Sequence, residues 1–250
     1  MNGLMQGKRG VIMGLANDRS LAWGIAKQLA AQGAELAFTY QGEALERRVR
    51  PLATELGADF LIECDVADMG ALDAAFDTIA ARWPTIDFVV HAIGFSDKGQ
   101  LKGRYVDVTS RENFSRTMVI SCFSFTEIAQ RAAKRMRKGG AMLTLTYGGS
   151  TRIMPNYNVM GVAKAALEAS VRYLAGDLGP EGIRVNALSA GPMRTLAGAG
   201  IADARLMFNH QRAHAPLRRT VTLEEVGGSA VYLLSDLSGG VTGEVHFVDS

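Results

Sequence analysis

The sequence predicts an α/β fold in which a parallel sheet of about seven strands is covered by helices on both faces, in a doubly wound arrangement. Short apolar runs alternate with stretches of helical periodicity along the chain. The runs are apolar at nearly every position, which is typical of strands buried on both faces. No repeat, low-complexity tract or linker interrupts residues 1–250, so we expect a single domain.

Each strand is predicted at a short apolar run bounded by glycine or polar residues. The seven runs are residues 9–14, 34–40, 59–64, 86–94, 140–147, 183–191 and 244–249. The first helix is indicated by Leu21, Ile25 and Leu29, which recur every four residues. The other helices are expected at residues 43–56, 69–82, 111–137, 157–177 and 223–235. Ligands of such a sheet bind at the carboxyl ends of its strands.

Composition and charge exclude several classes of function. A formal net charge of +2 is too small to indicate nucleic-acid binding. No apolar run approaches the roughly 20 residues that span a bilayer, and the N-terminus lacks the pattern of a signal peptide. Cys64 and Cys122 form no C-x-x-C motif, so neither a disulfide framework nor a metal clip is indicated. We therefore expect a cytoplasmic protein without membrane insertion or nucleic-acid partner.

The turn after the first strand is a candidate dinucleotide-binding site. Gly14 ends that strand, and glycine lets the backbone approach a diphosphate at the start of the next helix. Ser20 is placed to cap that helix. The G-x-G-x-x-G pattern is absent, so a plain strand–helix connection fits the turn equally well. The predicted doubly wound sheet is of the Rossmann type, which suits a dinucleotide at this turn.

Two polar residues follow the next two strands. Gln41 stands where an acid usually accompanies NAD and an arginine accompanies NADP, so the residues alone leave the cofactor's phosphate open. Asp65 follows the third strand and could accept a hydrogen bond from an adenine amino group. Capping of the following helix is an equally good interpretation of Asp65.

The stretch "YGGSTRIMPNYNVMGVAK", residues 147–164, enters the helix after the fifth strand. Seven residues of α-helix turn through about 700°, so Tyr157 and Lys164 would share a face about two turns apart. A tyrosine hydroxyl is a suitable acid toward a developing oxyanion, and a lysine can favour the phenolate or hold sugar hydroxyls. In isolation, a buried ring and a solvated amine are the better interpretation of the pair.

Several fragments, in order along the chain, resemble one superfamily. They include "GLANDRSLAWGIA", "AFTYQGE", "HAIGF", "MLTLTYGGS", "PNYNVMGVAKAALE" and "GIRVNALSAGPMRTLAGAGI". These resemble the short-chain dehydrogenase/reductases and, more narrowly, the bacterial enoyl-acyl-carrier-protein reductases of type II fatty-acid synthesis. Ordinary members use Tyr-x3-Lys, whereas Gly161 stands at that position here. The Tyr-x6-Lys spacing of Tyr157 and Lys164 is that of the enoyl reductases.

The resemblance implies a set of functional residues. Tyr157 would donate to the thioester carbonyl, Lys164 would bind the nicotinamide ribose, and Tyr147 would position substrate or assist protonation. Ser96 would lie beside the substrate together with both tyrosines, and residues 193–214 would form a substrate-binding loop and helix. The further residues expected to contact the dinucleotide are Gly14, Ser20, Leu21, Gln41, Asp65, Val66, Ile93, Met193, Arg194, Thr195, Leu196 and Ala197.

The resemblance also implies partners and a cofactor. NADH is expected rather than NADPH, the substrate is expected on acyl-carrier protein, and a homotetramer is expected on the helices at 111–137 and 157–177. Two other functions stay open: a carbonyl reductase of the same superfamily, and a catalytically silent NAD-binding protein. His210 and His214 have metal-ligand spacing but no evident third ligand, so no metal is expected.

Overall fold

The structure is a computed structural model that describes residues 3–193 and 204–250. In these residues, one parallel sheet has the strand order β3-β2-β1-β4-β5-β6-β7. The strands are β1 (Arg9–Met13), β2 (Glu35–Tyr40), β3 (Phe60–Glu63), β4 (Phe88–His91), β5 (Gly140–Thr146), β6 (Ile183–Ala190) and β7 (Val245–Val248). The predicted doubly wound, Rossmann-type fold is confirmed, and the strand order reverses between β1 and β4, where such sheets bind ligands.

Helices cover both faces of the sheet. They are α1 (Leu21–Ala31), α2 (Gly42–Glu55), α3 (Met69–Arg82), α4 (Tyr105–Val108), α5 (Arg111–Met118), α6 (Ser124–Ala133), α7 (Val159–Leu178), α8 (Ala204–His214) and α9 (Leu223–Leu234). One apolar core lies beneath α3, α6 and α7, and the other beneath α1, α2 and α9. No helix in the described parts of the chain is long and apolar enough to cross a membrane.

The long helix predicted between residues 111 and 137 is present over residues 111–133, with two departures from the prediction. A π-helical turn, Val119–Phe123, separates α5 from α6. The helix then ends at Ala133, because the chain turns to bury Met136, which is 2% exposed. A Cβ on Gly140 would lie 2.7 Å from the sulfur of Met136, so this side chain is held directly against the start of β5.

Helices α1 and α9 pack closely because two glycines face each other across their interface. A Cβ on Gly24 would lie 2.6 Å from the carbonyl oxygen of Leu223, and one on Gly227 would lie 2.5 Å from that of Gly24. At these distances a side chain on either residue would force the helices apart. The contact fixes the position of α1, whose N-terminus borders the candidate dinucleotide site.

Candidate active site

Tyr147 and Tyr157 lie at the carboxyl edge of the sheet. Tyr147 directly follows β5, whereas Tyr157 stands in the turn before α7, which begins at Val159. The expectation that Tyr157 and Lys164 share one helix face is therefore wrong, because Tyr157 is outside the helix. Asn156 and Asn158, at φ 59° and 39°, take the backbone through conformations that asparagine tolerates better than most residues.

The two tyrosine rings contact each other edge to face. Their centroids are 5.2 Å apart with an interplanar angle of 74°, and Tyr157 is only 8% exposed. Burial raises the pKa of the Tyr157 phenol and raises the pKa of Tyr147 to about 12. The Tyr147 hydroxyl lies 2.9 Å from the sulfur of Met207 on α8. Both phenols are therefore protonated at neutral pH and can act as hydrogen-bond donors.

Two glycines make room for the Tyr157 ring. A Cβ on Gly149 would lie 2.4 Å from Cδ1 of Tyr157, and one on Gly161 would lie 2.7 Å from the carbonyl oxygen of Gly149. Gly161, which stands where ordinary superfamily members carry their lysine, thus packs against Gly149, and Gly149 in turn borders the Tyr157 ring. Glycine at both positions is a steric requirement of this arrangement.

The Gly149→Ala substitution is expected to lower kcat about 10- to 100-fold, because the added methyl group must displace the Tyr157 ring. Gly148→Ala is the matched control, since a Cβ on Gly148 meets nothing within 4 Å among the described residues. Steady-state kinetics and thermal unfolding of both variants check this. Equal activity of the two variants would contradict the steric role of Gly149.

Lys164 lies on α7 with its amine buried beneath the sheet edge. The residue is 7% exposed, and Nζ donates to the carbonyl oxygen of Leu145 at 2.8 Å. Burial lowers the pKa of Lys164 to about 8, while Cys122 and Glu168 act in the opposite direction. A Cβ on Gly94 would lie 3.8 Å from Nζ, so the amine reaches the end of β4 as well as β5. This position suits a donor to a ligand lying across both strand ends.

The start of α1 has the features of an anion site. Gly14 has φ 102°, and a Cβ there would lie 2.2 Å from the carbonyl oxygen of Ala92. Ser20 occupies the N-cap position but does not cap the helix, contrary to prediction. The Ser20 hydroxyl instead accepts hydrogen bonds from the backbone N–H groups of Ala16 and Asn17, because the loop before α1 folds back onto Ser20. With no acid in its first turn, α1 keeps donors for a diphosphate.

The two polar residues after β2 and β3 contact each other. The Gln41 amide donates to Asp65 Oδ2 at 2.8 Å, and Asp65 Oδ1 accepts the N–H of Ala67. Asp68, not Asp65, caps α3, so the capping interpretation of Asp65 is wrong. The pair lies at the carboxyl edge of the sheet, as Gly14 does, and we call the edge from Gly14 to this pair the candidate dinucleotide groove. An amide and a carboxylate there suit adenosine recognition.

The remaining expected cofactor residues divide into two groups. Val66 is buried, whereas Leu21, Ile93 and Met193 are partly buried against the core. The other expected contacts, Arg194, Thr195, Leu196 and Ala197, lie outside the described residues.

Ser96 was expected beside the substrate, but its hydroxyl is engaged with helix α5. Asn113 Nδ2 and Thr117 Oγ1 each lie 3.1 Å from Ser96 Oγ.

Farther along the chain, the rings of His210 and His214 stack at 4.0 Å, and His214 Nδ1 lies 2.9 Å from the carbonyl oxygen of His210.

Sequence reasoning missed two buried residues next to the site. His91 is 0% exposed, with its ring nitrogens 2.8 Å from Thr144 Oγ1 and 3.0 Å from Ser124 Oγ, and burial lowers its pKa to about 3. Ser121, in the π-helical turn, bonds to both backbone polar groups of Phe95. His91 opens the "HAIG" motif, which could have indicated it, but no local pattern could have indicated Ser121, because its partner is distant in sequence.

The chain is similar to known proteins over nearly its whole length. The family model described as "Enoyl-(Acyl carrier protein) reductase" matches residues 14–250. The chain is 74% identical over 250 residues to "Enoyl-[acyl-carrier-protein] reductase [NADH] 2" of Rhizobium meliloti, covering 100% of this chain and 93% of the relative.

Solved structures are similar over the whole chain. The crystal structure of FabI from Candidatus Liberibacter asiaticus superposes with a TM-score of 0.97 at 58% identity, covering 100% of this chain and 96% of that one. The reductase of Anaplasma phagocytophilum in complex with NAD gives a TM-score of 0.96 at 57% identity, covering 100% and 95% of the two chains.

Proposed function

The chain belongs to the enoyl-(acyl carrier protein) reductase family, and on that premise we propose that it reduces the carbon–carbon double bond of 2-enoyl thioesters with NADH. This is the last reductive step of fatty-acid elongation. The observation that carries the proposal is the contact between buried Tyr157 and partly buried Tyr147, both protonated, at the carboxyl edge of the sheet, where Lys164 is also buried. Residues 1–250 act as one dinucleotide-binding and catalytic domain.

The residues of the groove fit a dinucleotide. Gly14 and the α1 N-terminus receive the diphosphate, because a Cβ is excluded there and the helix start offers N–H donors. Gln41 and Asp65 hold the adenosine end, and Lys164 holds the nicotinamide ribose. When bound, NADH supplies the hydride that adds to the β-carbon of the enoyl thioester.

Tyr157 stabilises the charge that the reaction creates. Reduction at the β-carbon moves negative charge onto the thioester oxygen, and a donor held in place before the reaction stabilises that oxygen most. The raised pKa of Tyr157 keeps its phenol protonated, so it acts as a hydrogen-bond donor. Protonation of the α-carbon then completes the saturated acyl chain.

Tyr147 links the site to the substrate-binding segment at residues 193–214. Its hydroxyl contacts the sulfur of Met207, so α8 rests on Tyr147. When a thioester enters between Tyr147 and α8, the Tyr147 hydroxyl would donate to the thioester oxygen in place of the Met207 sulfur, which is a weak acceptor. Tyr147 therefore positions the substrate, whereas Tyr157 carries the oxyanion.

The acyl group is delivered by acyl-carrier protein, and the protein acts as a cytoplasmic homotetramer. Exposed apolar side chains on the helices support assembly, since Tyr173 on α7 is 78% exposed and Phe123 is 50% exposed. Arg212 on α8 is exposed and suits an acidic carrier, whereas Arg219 is already paired with Glu225 at 2.8 Å. The two cysteines are free, which fits a reducing compartment.

Absorbance loss from NADH tests the proposed activity against its alternatives. The purified protein is mixed with a 2-enoyl thioester or with a 3-ketoacyl thioester, first with NADH and then with NADPH. We expect turnover of the enoyl substrate with preference for NADH. Turnover of the ketoacyl substrate alone would indicate a carbonyl reductase, and NADH binding without turnover would indicate a silent binding protein.

The affinity of the free protein for NADH is expected to fall about fivefold as the pH rises through about 8, because an ammonium is a stronger donor than a neutral amine. Below that pH Lys164 carries its proton, and above it the proton is lost. Burial raises the pKa of Cys122, so that thiol stays neutral through this window. Fluorescence titrations with NADH on both sides of pH 8 check this, and the step should vanish in Lys164→Met. Persistence of the step in that variant would assign it to another group.

A further inference from the structure

A buried polar cluster fastens the segment after β4 to helix α5. Asn113 Nδ2 and Thr117 Oγ1 each donate to Ser96 Oγ at 3.1 Å. Asn113 Oδ1 accepts the backbone N–H of Asp97 at 2.9 Å. Asn113 is 6% exposed and Thr117 0%, so water has little access to these bonds. Ser96, Asn113 and Thr117 form what we call the Ser96 cluster.

Phe95, the residue before Ser96, is held by hydrogen bonds to Ser121. Ser121 Oγ accepts the N–H of Phe95 at 2.9 Å and lies 3.0 Å from its carbonyl oxygen. Ser121 is 0% exposed and belongs to the π-helical turn between α5 and α6. Such turns place side chains that a regular helix would direct elsewhere, and they recur at functional sites. The backbone of residues 95–97 is thus bonded to two successive parts of one helical segment.

The segment held in this way borders the candidate active site. A Cβ on Gly94 would lie 3.6 Å from Cε of Met160 and 3.8 Å from Nζ of Lys164. Phe95 is 40% exposed, and the Arg116 guanidinium lies 4.4 Å from its ring centroid. Gly94 therefore faces α7, whereas Phe95 and Ser96 contact α5, and we call residues 94–96, which lie between these two helices, the wall.

We propose that the Ser96 cluster determines acyl chain-length preference by holding residues 94–96 as a rigid wall of the acyl-binding site. This inference rests on the proposed enoyl reductase function. The Ser96 hydroxyl accepts from Asn113 and Thr117, and its own proton faces Asn113 Oδ1 at 3.5 Å, so it acts through the position of the backbone. Asn113 and Thr117 are positioning residues.

The physical basis is the ordering of the wall before the substrate binds. A segment that is already rigid costs nothing to immobilise, whereas a loosened one must be ordered at the expense of binding. A long acyl chain contacts more of the wall than a short one. Loosening the Ser96 cluster should therefore weaken the long substrate more than the short one and leave the groove for NADH untouched.

Thr117 offers a matched pair of substitutions for the test. Thr117→Val keeps the shape of the buried side chain and removes the donor to Ser96, whereas Thr117→Ser keeps the donor. Steady-state kinetics are measured with crotonyl and 2-dodecenoyl thioesters. For Thr117→Val we expect KM for the dodecenoyl substrate, relative to that for the crotonyl substrate, to rise about 3- to 10-fold. Thr117→Ser should retain the wild-type ratio, and KM for NADH should be unchanged in both.

Ser96→Ala provides a second measurement in case the buried variants fold poorly. It should change the chain-length ratio in the same direction, and Thr117→Val should add little to it, because Ser96→Ala already removes the bond from Thr117 together with that from Asn113. An unchanged ratio in Ser96→Ala and Thr117→Val, or equal losses for both substrates and NADH, would overturn the inference while leaving the reductase function standing. A wild-type protein without turnover of either thioester would instead overturn the proposed function and this inference with it.

Discussion

Tyr157→Phe is expected to lower kcat about 100-fold, because it removes the hydrogen bond to the oxyanion. The ring itself should stay in place, since Gly149 and Gly161 shape its cavity and the edge-to-face contact with Tyr147 is retained. KM for NADH should change little, because the phenol acts on the thioester. Stopped-flow measurement of NADH oxidation with a saturating enoyl thioester isolates this chemical step.

Tyr147→Phe is the control for this substitution. It removes a hydroxyl whose bond is to Met207, so we expect a rise in KM for the thioester and a much smaller change in kcat. A larger fall of kcat in Tyr147→Phe than in Tyr157→Phe would reverse the roles assigned to the two tyrosines.

Lys164→Met is expected to lower kcat/KM for NADH about 100-fold or more, because the variant loses the charged donor to the cofactor. Methionine matches the length of the lysine stem, so the cavity stays filled. The free energy of unfolding should change little, because the variant also removes the desolvation penalty of a buried amine while leaving the Leu145 carbonyl without its bond.

Two further measurements separate binding from folding in this variant. Titration with NADH should show a higher Kd, and circular dichroism should show an unchanged melting temperature. Lys164→Arg keeps the charge but enlarges a group in a buried site, so it should recover only part of the affinity. Wild-type NADH affinity in Lys164→Met would contradict the assignment of Lys164 to the cofactor.

The sheet could be predicted from the sequence because its strands are buried on both faces. Each apolar run became a strand within a few residues of its expected bounds, as with residues 86–94 and β4. The π-helical turn could not be predicted, since it depends on the bond between Ser121 and the backbone of Phe95. The early end of α6 likewise follows from the tertiary burial of Met136.

The sequence indicated which residues belong to the candidate site better than it indicated how they are arranged. The Tyr-x6-Lys spacing selected Tyr157 and Lys164, but helical periodicity placed Tyr157 wrongly, because α7 begins only at Val159, after the N-cap residue Asn158. The hydrogen bond between Gln41 and Asp65 joins two separate strand ends, and no spacing along the chain indicates it. Ser20 was expected to cap α1, yet the fold of the preceding loop redirected its hydroxyl.

Isotope tracing tests the central claim most directly, namely that the protein transfers hydride to the β-carbon of an enoyl thioester. The reaction is run with NADH deuterated at C4 of the nicotinamide, and separately in deuterated water, and the product is examined by NMR. We expect cofactor deuterium at C3 of the saturated acyl chain and solvent deuterium at C2. Deuterium on a carbon that bears a hydroxyl group, or no reduced product at all, would contradict the account.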